Sequence, residues 1–218
     1  MKIQYSYFYF LLILLFPIMI WSAIEPPSGR ILWVAEALPF FVGLIILTGT
    51  YRAFPLTVFT YNSIIVSSIL VLTGAHFSYA HVPLGDWFKT NCGFTRNNYD
   101  KIGHFFQGYT IAVLTKEIVI RKHIVSSKSW INLFSISMAV ALSAVYEIIE
   151  WFTVVILVFF GSKEPATGFM GTQNYTWDSQ SDIFFAAVGA AVVIYLLGRY
   201  HENAIQSLLN HGKNIPGK

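Results

Sequence analysis

The sequence predicts an all-α integral membrane protein, a bundle of six transmembrane helices joined by short loops, and three observations carry that prediction. The first is composition: 55% of the 218 residues are hydrophobic, 17% aromatic and only 11% charged, where a soluble domain of this size carries about 25% charged residues. The second is length patterning, because one helical crossing of a bilayer takes roughly 17 to 25 apolar residues and six such windows recur, near 7–24, 31–50, 56–79, 102–120, 131–159 and 182–199. The third is the placement of Lys and Arg at the ends of those windows.

The first window follows Lys2 and ends near Ser22-Ala23, as a secretory signal does. Its apolar length and the aromatic residues Tyr5, Tyr7, Tyr9 and Trp21 at its borders instead fit an uncleaved anchor. The second window carries Glu36 about a turn and a half inside its start, just before Pro39. The third leaves the membrane through Gly74-Ala-His76-Phe-Ser-Tyr79-Ala-His81; the fourth begins at Asp100 with His104 one turn on; the fifth carries Glu147 and Glu150; the sixth begins with Asp178 and Asp182. Cys92 is the single cysteine, which excludes an internal disulfide and a multi-cysteine metal site and leaves a free thiol.

The formal net charge of +3 orients the chain rather than pointing to nucleic acid. Lys2, Arg52, Lys116, Arg121, Lys122, Lys128, Arg199, Lys213 and Lys218 fall on one side, against Arg30, Lys89, Arg96, Lys101 and Lys163 on the other. The richer side is expected in the cytoplasm, with both termini there and three loops outside. On that topology nine of the eleven acids lie in or beyond the outer half, and Glu117 and Glu202 are the two exceptions.

A carboxylate in hydrocarbon is unfavourable by several kcal/mol unless it meets protein, water, a counter-charge or a metal, so this convergence marks a site. Asp100, His104 and Gln107 share one helix face; Asp178 and Asp182 share another with Ala186 and Gly189, small residues that permit close helix approach. Ser143, Glu147 and Glu150 line a stripe of the fifth helix. The expected metal ligands are Asp100, His104, Glu147, Asp178 and Asp182, a carboxylate and imidazole set suited to one divalent ion. Glu147, Glu150 and His104 are the expected acid and base groups, and Lys101, Gln107, His76, Tyr79 and Gln173 the expected substrate contacts. The loops 80–99 and 161–177 would roof the cavity, the second being Gly- and Pro-rich enough to act as a lid.

Plainer readings stand beside these. Asp100 and Asp178 serve equally as N-terminal helix caps, His104 as an interhelical hydrogen bonder and Lys101 as a snorkelling cation. Phe105, Phe106, Trp151 and Phe152 read as lipid-facing or packing residues, and the Asn174-Tyr-Thr176 sequon as chance. The chain shows no phosphate-binding loop, dinucleotide fingerprint, nucleophile elbow or His-Glu-x-x-His pair.

Four segments together resemble the YjdF family of bacterial inner-membrane proteins: Gly74 to Pro83, Arg96-Asn-Asn-Tyr-Asp100-Lys-Ile-Gly-His104-Phe-Phe-Gln107-Gly108, Tyr146-Glu147-Ile-Ile-Glu150-Trp151, and Gly171-Thr-Gln173 through Trp177-Asp178-Ser-Gln180-Ser-Asp182. Within that pattern Tyr175 stands where an acid is frequent. The chain is more distantly similar to VanZ-like membrane proteins through Asp100, Lys101, His104, Glu147, Asp182 and Gly189, with Glu150 in place of a Gln and Ala186 in place of an Asn. The resemblance implies an inner-membrane location and a site without naming a substrate. Three classes of function therefore stand as expectations: an outward-facing enzyme acting on a lipid or lipid-linked headgroup in the bilayer, a proton- or cation-linked binding or transport protein, and a structural membrane subunit.

Overall fold

The computed structural model describes residues 2–160, 173 and 175–213. Among these residues the chain forms seven helices and no strand. They are α1 (Lys2–Ala23), α2 (Arg30–Thr50), α3 (Val58–Phe77), α4 (Pro83–Cys92), α5 (Tyr99–Arg121), α6 (Lys128–Phe159), and a last helix built from α7 (Asp178–Val192), a π-helical turn (Val193–Leu197) and α8 (Gly198–Lys213). Three features differ from the sequence expectation: five of the described helices rather than six have the length and hydropathy of a crossing, the window 102–120 in α5 being the exception, and two boundaries change. The last helix runs well past residue 199, because the π turn passes without a break into an amphipathic segment that buries His201, Ile205 and Leu208. The loop 80–99 contains the short α4, opened by Pro83 in its first turn and closed by Gly93 at φ 72°, the pairing expected at the two ends of a helix.

Five helices are long and apolar enough to cross a membrane: those at Ile3–Ala23, Arg30–Thr50, Val58–Phe77, Lys128–Ile156 and Asp178–Asn210. Their outward faces carry large apolar side chains left bare by the fold, among them Ile13, Phe16, Ile45, Ile148, Trp151 and Leu196. A bare apolar belt of this extent would be insoluble in water and matches hydrocarbon, so the chain is a multi-pass membrane protein.

Helix α5 is the hub, lying against α3, α6 and α7. One apolar core joins α1, α2 and α3 around Leu11, Leu15, Tyr61 and Leu72; a second joins α5, α6 and the last helix around Val113, Ala139, Ala190 and Val193. The crossing of α5 and α7 brings backbones together: a side chain at Gly108 would strike the backbone of Ala186, and one at Gly189 the carbonyl of Phe105. Without a hydrophobic drive between helices in lipid, such small-residue contacts supply the association. A Gly189→Leu substitution is therefore expected to separate α5 from α7 and lower the detergent melting temperature steeply, with Gly43→Leu, where nothing lies within 4 Å, as the tolerated control.

Candidate functional site

The site begins where α5 and α7 start side by side. Asn97, almost fully buried, spans the joint before α5: its side-chain oxygen accepts the Tyr99 N–H at 3.1 Å, and its amide donates to the Val82 carbonyl and Asp86 Oδ1, both at 3.0 Å. Gln173 clasps the same residue through its backbone, accepting the Asn97 N–H at 3.0 Å and donating to its carbonyl at 2.8 Å. This fixed joint sets Arg96 and the first turn of α5 against the first turn of α7.

Five charged side chains interlock there. Arg96 donates to Asp178 Oδ1 at 2.6 Å and pairs with Asp100 one turn on. The Lys101 ammonium lies 2.6 Å from Asp178 Oδ1, 2.8 Å from Asp182 Oδ1 and 3.3 Å from Asp100 Oδ2. The ammonium donates to Asp178 Oδ1 and Asp182 Oδ1, and Asp100 lies beside it at ion-pair distance. Lys101, an expected substrate contact, is here ion-paired with three carboxylates of the protein. Asp100 and Asp178 are ion-paired here, and Asp100 also caps the start of α5, its Oδ1 accepting the Lys101 N–H at 2.8 Å. The Tyr175 ring lies 5.4 Å from the Arg96 guanidinium and 5.9 Å from the Lys101 ammonium, offering both an aromatic face.

One turn deeper, His104 faces Glu147 and Asp182. Its Nδ1 is 3.3 Å from Ser143 Oγ, and its Nε2 is 3.3 Å from Glu147 Oε1 and 4.0 Å from Asp182 Oδ1. Glu147 Oε1 is buried without a hydrogen-bond donor, the His104 contact being misaligned for one. One donor atom from each of His104, Glu147 and Asp182 lies within 4.8 Å of the others, a fit for a single cation. Ser143 on the far ring nitrogen would hold the imidazole in the tautomer that presents Nε2. Asp100, Asp178 and Asp182 form a second such group, but the Lys101 ammonium already sits among them. The five expected ligands therefore divide into a lysine-filled set and a histidine-centred set that share Asp182.

A cavity of about 90 Å³ opens beside these groups, lined by Glu36, Tyr79, Asp100, His104, Gln107, Tyr146, Glu150, Asp178 and Asp182 together with Pro39 and Val71. Burial, and then the facing Glu36 carboxyl, push the Tyr79 phenol well above its ordinary range, so it stays a neutral hydroxyl. Of the expected substrate contacts, Gln107 and Tyr79 line this cavity. His76 does not: its Nδ1 is 3.0 Å from the Ser22 carbonyl and its ring packs on Trp21, tying α3 to α1. Residues 161–172 and 174 of the expected lid lie outside the described residues. Arg96, Tyr146 and Tyr175 were missed as site residues, although Arg96 stands four before Asp100, the spacing of a helical ion pair.

A second polar cluster, unforeseen in the sequence, sits at the opposite end. Glu117, fully buried, accepts the Thr57 N–H at 2.9 Å, the Thr57 and Thr60 hydroxyls, and Arg121 Nη1 at 2.7 Å, with His201 Nε2 at 3.6 Å. Lys116, equally buried, reaches Glu202 at 2.7 Å and Asn132 at 3.3 Å. Between the two clusters Ser67 and Thr110 share a 2.7 Å hydrogen bond across α3 and α5.

Comparison with known proteins places this architecture in a family. Residues 7–203 match the family described as a predicted membrane protein (DUF2238). The inner membrane protein YjdF of Escherichia coli (strain K12) is 35% identical over 184 residues, which span 84% of this chain and 85% of the relative. No solved structure matches.

Proposed function

The chain belongs to the DUF2238 family of membrane proteins, and from that premise we propose an inner-membrane protein of six crossings whose acidic cavity faces outward, holds one divalent cation on His104, Glu147 and Asp182, and acts on the polar head of a lipid or lipid-linked intermediate. Support for α5 as the sixth crossing is its 23-residue length together with the burial of Lys101, Lys116 and Glu117 against neighbouring helices, which shields their charge from lipid. Support for orientation is the Lys and Arg bias away from the cavity end, which also places both termini in the cytoplasm.

The observation that carries the reading is a charge imbalance. Glu36, Asp100, Glu147, Glu150, Asp178 and Asp182 converge at one end, while Arg96 and Lys101 are engaged by Asp100, Asp178 and Asp182. Glu147 is left with an unpartnered oxygen facing His104. Low-dielectric surroundings do not tolerate that surplus without a cation or protons. A bound divalent ion would supply Lewis acidity toward water or a phosphoryl oxygen. Glu150, with the Tyr146 hydroxyl beside it, is placed to exchange a proton with a group entering the cavity.

Metal content of the detergent-purified protein tests this. Elemental mass spectrometry is expected to find about one divalent metal per chain, falling at least about ten-fold in Glu147→Gln, Asp182→Asn. A folded wild type that stays metal-free after equilibration with Mn²⁺, Zn²⁺ or Mg²⁺ removes the cation from the proposal. Proton or cation transfer is a second reading, favoured by the buried Glu117 cluster and the Ser67–Thr110 bond between the two polar ends; proton-linked flux in vesicles separates it from the first.

A further inference from the structure

Glu36 has no place in the histidine-centred set, yet it is 4% exposed, lines the cavity from α2, and leaves Oε2 without a hydrogen-bond donor. It lies six residues into α2, about 9 Å along the axis from the helix start. Its neighbours on the cavity wall are the Tyr79 phenol from the end of α3, and Tyr146 and Glu150 one turn apart on α6. The described walls carry five carboxyl side chains and one imidazole, and neither lysine nor arginine. Glu36 belongs to neither cluster of candidate metal donors.

An unpartnered buried carboxyl is unfavourable, and a ligand that donates to it would relieve that cost. Two carboxyl groups and two phenols do not make the crowded hard-oxygen shell a divalent ion takes. They do match a primary ammonium, whose three N–H groups need acceptors and whose charge favours aromatic faces. The cavity has room for a group about the size of a few waters, which suits an aminoethyl head.

We propose that Glu36, Glu150, Tyr79 and Tyr146 form an ammonium-binding subsite that receives the primary amine of an aminoethyl group, from an aminophospholipid head or a soluble amine. It rests on the outward-cavity part of the proposed function and names the substrate class, leaving the cation on His104, Glu147 and Asp182 as a separate matter.

Native mass spectrometry of the full-length protein with equal amounts of phosphatidylethanolamine and phosphatidylglycerol of identical chains is the first arm, and ethanolamine alone is the second. The phosphatidylethanolamine adduct is expected to exceed the phosphatidylglycerol adduct about ten-fold or more, with the ratio near one in Glu36→Gln. Ethanolamine bound by wild type and lost in Glu36→Gln, without lipid preference, upholds the subsite and assigns it a soluble amine. Preference in neither arm, or a preference unchanged by Glu36→Gln, overturns it. Because the substitution keeps shape and removes an unpartnered carboxyl, its melting temperature is expected to equal or exceed that of wild type. Metal content measured on the same samples separates failure of this subsite from failure of the cation site.

Discussion

Replacing Lys101 with Met is expected to destabilise the protein by about 3–5 kcal/mol, the usual consequence of removing one partner from a buried ionic cluster. The single ammonium satisfies Asp100, Asp178 and Asp182 at 3.3, 2.6 and 2.8 Å, so its loss leaves three carboxylates with only Arg96 between them. Met matches the length of the stem but offers no donor. Thermal unfolding in detergent reads the effect directly. Adding Asp178→Asn to Lys101→Met should recover part of the loss, since it removes one of the stranded charges, and the double-mutant cycle should show strong coupling. A Lys101→Met protein that melts with wild type would mean that these carboxylates are not held by that lysine.

The second large effect is expected at the other end of α5. Glu117→Ala removes the common acceptor of the Thr57 N–H, the Thr57 and Thr60 hydroxyls and Arg121. Each buried group left without a partner is worth about 1–3 kcal/mol, so the sum should reach several kcal/mol. Arg121 keeps a 2.7 Å bond to the Pro55 carbonyl and its place over the Phe54 ring at 3.7 Å, which moderates the loss. Glu117→Gln should fall between, because one carbonyl oxygen remains while the new amide confronts donors. The measurement is again the melting temperature, paired with metal content: Glu117→Ala should lower the first and leave the stoichiometry of the folded fraction unchanged, as its cluster shares no residue with His104, Glu147 and Asp182.

Much of the site was readable because polar residues are scarce in an apolar chain. Asp100, His104, Glu147 and Asp182 stand out at helical spacing on windows that otherwise face lipid, and the structure gathers them. The ion pairs of Lys101 are not legible in the sequence, which shows that a cation is present but not which acids surround it; its neighbours Asp178 and Asp182 arrive from α7, more than 75 residues on. The contact of His76 with the Ser22 carbonyl is hidden for the complementary reason, since an imidazole at the end of a helix serves a neighbouring carbonyl as readily as a ligand. The Glu117 cluster was overlooked because its partners come from the α3 start, the α5 end and α8, and a threonine or histidine gives no signal until its counterpart is known.

The sequence by itself determined the membrane class and the helical character of the chain, since both follow from local hydropathy and spacing. Only the tertiary structure decided which carboxylates are already answered by Arg96 and Lys101 and which, Glu36 and Glu147, keep an oxygen without a donor. That division is set by side chains meeting across α2, α5, α6 and α7, where the close backbone crossing at Gly108 and Gly189 brings the helices within reach of one another.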